Sequence, residues 1–523
     1  MGLLRSSATV GSYTLISRIL GYARDILIAA LMGAGPIADA YFVAFKLPNL
    51  MRRLFAEGAF NLVFVPQFAG RLEAEGKAAA KAFAEEALAL LLWALLVVLG
   101  LGELLMPWLM YALAPGFSDD PAKFDLTIEL TRITFPYLLF ISLVSLLGGI
   151  LNSLHRFWVA AAAPMLLNLT LIGALLGFAR VAETPGHALA IGVSIAGLLQ
   201  LAWLWHASVR AGFSLKLRRP RLTPAMRRLL VLMAPVALGA GVNQLSVIID
   251  QIFASTIEGG VSFLYYADRI NQLPLGVVGV ALGTALLPML ARSLKGGRHA
   301  EAMGQQNRAL EAGLLLALPA AAALVTLAFP LTSVLFERGA FDAHAARESA
   351  RALLAFALGL PAFVFVKVLL PGFYARSDPW PPVRIAAVCV AMNAALNAAL
   401  IGPLGVMGIG LATSAAGWLN VALLARGLSR RGYFTLDARL RRNGPRIAIA
   451  TLIMVGVLEL LLWALAPAFA LEALAPRAGA LAALVLGGLF VYGLAARLLG
   501  LVRFNDILRL FRRTPSQPPG LTE

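Results

Sequence analysis

The residues of this chain with chemical potential are cations and carboxylates set where apolar side chains are expected. In SRILGYARDILIA (17–29), Arg18 and Asp25 stand seven residues apart. At 100° per residue they share nearly one helix face, with Arg24 about 120° from Arg18. In YFVAFKLPNLMRRLFAEGAF (41–60), Lys46 continues a seven-residue spacing from Asp39 to Arg53, with Asn49 beside that stripe and Arg52 and Glu57 following. LYYADRINQLPLGVVGVALG (264–283) carries Asp268 and Arg269 in the same manner. A charge at mid-bilayer costs roughly 2.5–3.5 kcal/mol on insertion scales, so each needs a reason. Arginine supplies a planar fork that binds phosphate bidentately and keeps its charge on burial. Arg18, Arg24 and Arg269 are therefore the candidate groups for a phosphate-bearing headgroup. Asp25, Asp39, Glu57 and Asp268 are candidates for orienting those cations or latching a gate.

The plainer reading is that these charges satisfy one another. Lys46 would pair with Asp39, Arg269 with Asp268 or Asp250, and Arg52 and Arg53 would snorkel to the headgroups. Pro48 and Pro274 mark hinges in either reading, because each removes a backbone donor; Pro48 frees the carbonyl of Ala44.

Such residues need long apolar elements to hold them. The 523 residues are 60% hydrophobic and only 14% charged, and apolar runs recur from end to end. Spacing and length predict an all-α polytopic membrane protein with about fourteen transmembrane helices, because a backbone in lipid must satisfy itself. The first run, interrupted by Arg18 and Arg24, reads as a retained helix rather than a cleaved signal. The net charge of +17 is topological. Most Lys and Arg fall in alternate connections such as KLRRPRLTPAMRR (216–228) and RGLSRRGYFTLDARLRRNGPR (426–446), whereas GFSDDPAKFD (116–125) and GPLG (402–405) are poor in them. That asymmetry predicts both termini in the cytoplasm, anionic lipid headgroups near the basic segments, and no nucleic-acid partner.

One constant shift sets Asp25 against Asp250, Pro136 against Pro361 and Asn168 against Asn393. It predicts two six-helix lobes in parallel pseudo-repeat, residues 1–222 and 223–430, around a central cavity that the deep arginines would face. Residues 431–523 then form a basic linker, two extra C-terminal helices and a tail.

Several chemistries are excluded. GRLEAEGKA (70–78) has five residues between its glycines and no following Ser or Thr, so it fails the phosphate-loop pattern. The lone Cys389 cannot form an intrachain disulfide, and His155, His187, His206, His299 and His344 show no metal-ligand spacing. A carrier with no catalytic residue, metal or cofactor is expected.

SRILGYARD, GAGPIADAYFVAFKLPNLMRRLFAEGAF and LYYADRINQLPLGVVGVALGTALLP resemble the signature segments of the MurJ/MviN lipid II flippases, within the multidrug/oligosaccharidyl-lipid/polysaccharide exporter superfamily. The likeness covers the whole chain, and Asn61, where the family pattern has a serine, is a small departure. It implies transport of lipid II, the undecaprenyl-pyrophosphate-linked disaccharide-pentapeptide, from inner to outer leaflet of the bacterial cytoplasmic membrane by alternating access. It also implies functional roles for Arg18, Arg24, Arg52 and Arg269, with Asp39 as acidic partner, and adds Arg52, Lys46 and Asn49 to the headgroup candidates. Asp25 and Glu57 would join a gate between the first and eighth helices, and the last two helices would hold the polyprenyl tail in a groove. The implied partners are lipid II, membrane lipids and peptidoglycan-synthesis proteins, acting on a monomer; coupling to membrane potential or to a sodium or proton gradient stays open. Two rivals are a flippase for another polyprenyl-linked glycan and a cation-coupled multidrug antiporter. The antiporter predicts essential carboxylates and dispensable arginines.

Overall fold

The computed structural model describes residues 2–52, 60–471 and 473–501 of the chain. Among them the only strand-type pairing is one isolated bridge, Arg338 to Phe341. The rest is helix and short connection. In chain order the helices are α1 Gly2–Met32, α2 Pro36–Met51, α3 Asn61–Ala74, α4 Gly76–Leu104, α5 Met106–Leu113, α6 Pro121–Thr134 and α7 Tyr137–Ser153. Next come α8 Phe157–Phe178, α9 Pro185–Arg210, α10 Pro224–Ala254, α11 Gly260–Pro274, α12 Val280–Lys295, α13 His299–Thr326 and α14 Ala328–Phe336. The last five are α15 Ala343–Tyr374, α16 Trp380–Leu404, α17 Val406–Arg430, α18 Ala438–Phe469 and α19 Leu474–Leu498.

Local sequence sets several boundaries. Asp120, Thr184, Thr223 and Asp437 each accept a bond from the backbone N–H three residues on, capping α6, α9, α10 and α18. In α6, α9 and α10 a proline follows the cap directly, where its missing N–H costs nothing.

Among the described residues, ten helical segments are long and apolar enough to cross a membrane, matching ten of the expected spans from Gly76–Leu104 to Leu474–Leu498. The expected spans centred near residues 22, 46, 241 and 275 are not among those ten. All four are helical nonetheless: α1 and α10 have 31 residues each, α2 has 16, and α11 runs through a π-helical turn at Leu275–Gly279 into α12. At 1.5 Å per residue, α1 and α10 are each about 46 Å long, longer than a bilayer core. Arg18, Arg24 and Asp25 dilute the apolarity of α1, and α2 is short for a span.

The chain packs as two compact units. The first comprises Met1–Ala267, Leu335–Ala352 and Ala386–Ala412, and the second Asp268–Val334, Leu353–Ile385 and Thr413–Glu523. The core of the first is aromatic: Phe60, Phe64, Phe68 and Phe83 are buried, with the Phe64 ring stacked on Phe60 at 5.0 Å and on Phe83 at 5.5 Å. The end of α1 meets the connection after α14 at two glycines with left-handed backbone, Gly33 (φ 65°) and Gly339 (φ 58°). A Cβ on Gly33 would press into the Ala340 carbonyl and one on Gly339 into the Ala30 carbonyl, and the Ala340 N–H donates to Ala30 O at 2.9 Å. Only glycine permits that backbone approach. In the second unit, Phe373, Leu424, Leu428 and Phe434 form one core, and Met454, Leu458 and Leu484 lock α18 against α19.

Two of the pairs set against each other by the constant shift, Asp25/Asp250 and Asn168/Asn393, lie within the first unit. Asn168 meets the Arg24–Asp25 pair on α1, and Asn393 donates to Asp250 at 3.2 Å, with Asn397 adding a second bond to the same oxygen at 2.9 Å.

Candidate functional site

Arg24 is 4% exposed and Asp25 1%. Their burial is tolerable because the guanidinium is engaged on several sides. Nε and Nη2 donate to Asp25 Oδ1 at 3.0 and 2.7 Å, Nη1 donates to Asn168 Oδ1 at 2.9 Å, and Nη2 reaches the Tyr265 hydroxyl at 3.4 Å. Tyr265 in turn donates to Asp25 Oδ1 at 2.9 Å, and Asn168 donates to the Ser17 carbonyl at 2.9 Å. Adjacent residues on a helix point 100° apart, so the helical wheel does not forecast this pair; the long arginine stem folds back to reach its neighbour. Arg18, one and a half turns earlier, is exposed and lines a cavity of ≈ 370 Å³ with Thr14, Ser17, Asn152 and Pro164. Arg18 and Arg24 thus have different surroundings, one open to a cavity and one held by a carboxylate.

Asp39, in the first turn of α2, is fully buried. Its Oδ2 takes an ion pair from Lys123 Nζ at 2.7 Å and a bond from Gly259 N at 3.1 Å; its Oδ1 accepts from Ser262 N at 2.9 Å and Ser262 Oγ at 2.6 Å. Gly259 to Ser262 begin α11, so the carboxylate from α2 caps that helix at its positive end. The expected Asp39–Lys46 pairing is corrected here. Seven residues separate the two by about 10.5 Å of helix rise, and Lys123 of α6 is placed directly opposite the carboxylate. Lys46 instead donates to the Val247 carbonyl at 3.4 Å. Sequence reasoning missed Lys123 and Ser262. Their only signal is a lysine in a connection otherwise poor in cations, because Lys123 lies 84 residues from its partner and Ser262 lies 223.

Lower on α2, Pro48 leaves the Ala44 carbonyl without its helical donor, and the Thr134 hydroxyl of α6 bonds it at 3.0 Å. Asn49 donates to Phe45 O at 3.2 Å and accepts from Arg52 Nε at 3.2 Å, which steers Arg52 along the helix. Arg53 and Glu57 lie outside the described residues. In the second unit, Arg269 and Asp268 are half-buried, and Asp268 accepts from the Gln272 amide. Pro274 ends α11, and the π-helical turn that follows it occupies the expected hinge.

These side chains can hold and exchange an anion. A guanidinium caged by one carboxylate, one amide and one hydroxyl can trade the carboxylate for a phosphate of similar geometry.

Comparison with known proteins identifies the lineage. Residues 28–478 match the family described as Lipid II flippase MurJ. The probable lipid II flippase MurJ of Rhizobium tropici is 46% identical over 523 residues, covering 99% of this chain and 98% of that protein. The lipid II flippase MurJ of Burkholderia cenocepacia is 38% identical over 464 residues, covering 88% and 90%. Among solved structures, a lipid II flippase MurJ in an inward closed conformation shares the fold with TM-score 0.79 at 24% identity, covering 96% of this chain and 99% of that one. An inward-facing multidrug resistance transporter of the MATE family shares it at TM-score 0.68 and 16% identity, over 81% and 98%. This multi-pass, all-helical membrane protein belongs to the MurJ family of lipid II flippases, which are transporters rather than enzymes.

Proposed function

We propose that the chain moves lipid II from the inner to the outer leaflet of the cytoplasmic membrane by alternating access. The observation that carries this reading is near-full-length similarity, at 46% identity, to a protein named as a lipid II flippase. The geometry supports a route. Arg18 lines an open cavity and receives the pyrophosphate first, and Arg24 then exchanges Asp25 for a phosphate oxygen. Arg52 (steered by Asn49), Lys46 and Arg269, one helical turn beyond Tyr265, complete the anion-binding set. Asp39 acts as an outward latch, since its carboxylate ties α2 to the start of α11 and to α6. Asp25, Glu57 and Asp268 serve as acidic partners on the inner side, and Pro48 and Pro274 are the hinges.

The four charged helices α1, α2, α10 and α11–α12 join the ten apolar segments to make fourteen spans. They are arranged as lobes 1–222 and 223–430 with the appendage 431–523, whose last two helices take the polyprenyl tail. Both termini lie in the cytoplasm. Turnover draws on membrane potential or on a sodium or proton gradient, without a bound cofactor. The protein works as a monomer beside peptidoglycan-synthesis proteins.

The test uses a bacterium depleted of its own lipid II flippase and supplied with this gene. Externally exposed lipid II is quantified with an added enzyme that cleaves it and cannot cross the membrane. Restored cleavage with wild type and none with Arg269→Ala supports the substrate, the direction and the arginine role together. No cleavage from an inserted wild-type protein, where a known flippase rescues the same cells, overturns the reading in favour of another glycan carrier or a drug antiporter. Orientation is checked by labelling single cysteines with an impermeant maleimide in a Cys389→Ser background. Asp119→Cys should label in whole cells, and Thr435→Cys only after lysis.

A further inference from the structure

His187 is 7% exposed, and its side chain is aimed at two glutamates. Its Nδ1 is engaged by the Thr184 hydroxyl at 2.8 Å, and that hydroxyl also caps α9 by accepting from the His187 N–H at 3.3 Å. The other ring nitrogen, Nε2, is buried and makes no hydrogen bond. It faces Glu129 Oε1 at 3.4 Å and Glu183 Oε2 at 3.9 Å. The three ligand atoms lie within 4.8 Å of one another.

We propose that Glu129, Glu183 and His187 form a binding site for a divalent transition-metal ion of the zinc class. Three features support this beyond the presence of two acids. First, the spacing fits: two ligands about 2.05 Å from a tetrahedral ion stand about 3.3 Å apart, close to the 3.4 Å between Nε2 and Glu129. Second, the Thr184 hydroxyl occupies Nδ1 and leaves Nε2 to face the carboxylates; with Nδ1–H donated to that hydroxyl, Nε2 offers its lone pair, and such an outer partner is what metal-bound histidines use. A lone pair aimed at two anions in a buried position is unfavourable without a cation between them. Third, one imidazole nitrogen with two carboxylate oxygens suits zinc or its neighbours rather than calcium or magnesium, which take all-oxygen shells. Both glutamates reach solvent, so an ion can enter and a water can complete the coordination.

The site lies at the start of α9 and on α6, and it uses none of the arginines and not Asp39. A bound ion would clamp the two helices at one end of the first unit. The sequence hid it because only Glu183 and His187 are close in the chain, and they straddle a helix boundary.

The experiment uses full-length protein without a polyhistidine tag, in lipid nanodiscs, stripped with chelator and titrated with Co²⁺ and then Zn²⁺. Wild type should develop the visible absorption of tetrahedral or five-coordinate cobalt at one equivalent, and zinc should abolish it. His187→Gln and Glu183→Gln should each weaken binding at least about tenfold. Glu183 is a surface side chain, so its variant keeps the fold even where His187→Gln does not. Cobalt binding of equal strength in wild type and Glu183→Gln would place the ion elsewhere and overturn the proposal, as would no uptake by wild type. The readout is independent of transport, so it can fail while lipid II export stands, or the reverse.

Discussion

At the scale of single residues, Asp39 is a charge held on every side. It has one ammonium and three neutral donors around it and no contact with water. Removing one member of a buried pair costs about 3–5 kcal/mol, because the other is left charged and unpaired. Lys123→Met and Asp39→Asn are each expected to lower the apparent melting temperature of the purified protein, and the double variant by less than their sum. Additive losses would mean that the pair is not coupled. Arg24 makes a different demand, because its bonds use Nε and both terminal nitrogens at once. Lysine has one nitrogen to offer, so Arg24→Lys is expected to lose lipid II export about as fully as Arg24→Ala, while still inserting in the membrane. The amino-acid types disclosed which residues to watch. They did not disclose partners, since neither the Lys123 ion pair nor the bonding of Asn168 to Arg24 has a local pattern to betray it.

At the scale of elements, the apolar helices were legible by length and hydropathy, and their positions agree with those expected. The charged helices were legible from motifs instead: the arginines, aspartates and prolines that mark them are rare in apolar runs. Proline chemistry carried over most directly. The carbonyl freed by Pro48 is the one that Thr134 bonds, although nothing in the sequence identified Thr134 as the donor. Thr134→Val should therefore destabilise by about 1–3 kcal/mol, the cost of an unsatisfied buried carbonyl. In a Pro48→Ala background the helix can satisfy Ala44 itself, and the same substitution should cost much less. A melting-temperature cycle over the four proteins measures the difference. Helical periodicity was a poorer guide to where long side chains finish, as the folded-back Arg24 shows.

At the scale of the whole molecule, the family and the all-helical class were both readable from sequence, through dispersed motifs and recurring apolar runs. The backbone contact between Gly33 and Gly339 was not, because it joins segments about 300 residues apart and leaves no periodic trace. Gly339→Ala, which adds both a positive-φ penalty and a clash with a carbonyl, should destabilise the folded protein by at least about 1–3 kcal/mol and reduce its yield in membranes. Ala340→Gly, at the neighbouring position, should do so by less than about 1 kcal/mol. Comparative thermal melts of the two variants in detergent check the contrast.

The Thr134 bond to Ala44 also bears on compliance. In an intact helix, bending must stretch or break a backbone rung, and the restoring force is shared along the whole rod. In α2 one rung is absent from the outset, and its acceptor is held by a rotatable hydroxyl from another helix. The segment is stiff on either side of Pro48 and soft at it. A net exchange of about 0.5–1.5 kcal/mol, the worth of one such bond against water, is one to three times thermal energy. Fluctuations of that size occur without ligand, and the bend has a fixed address in the chain.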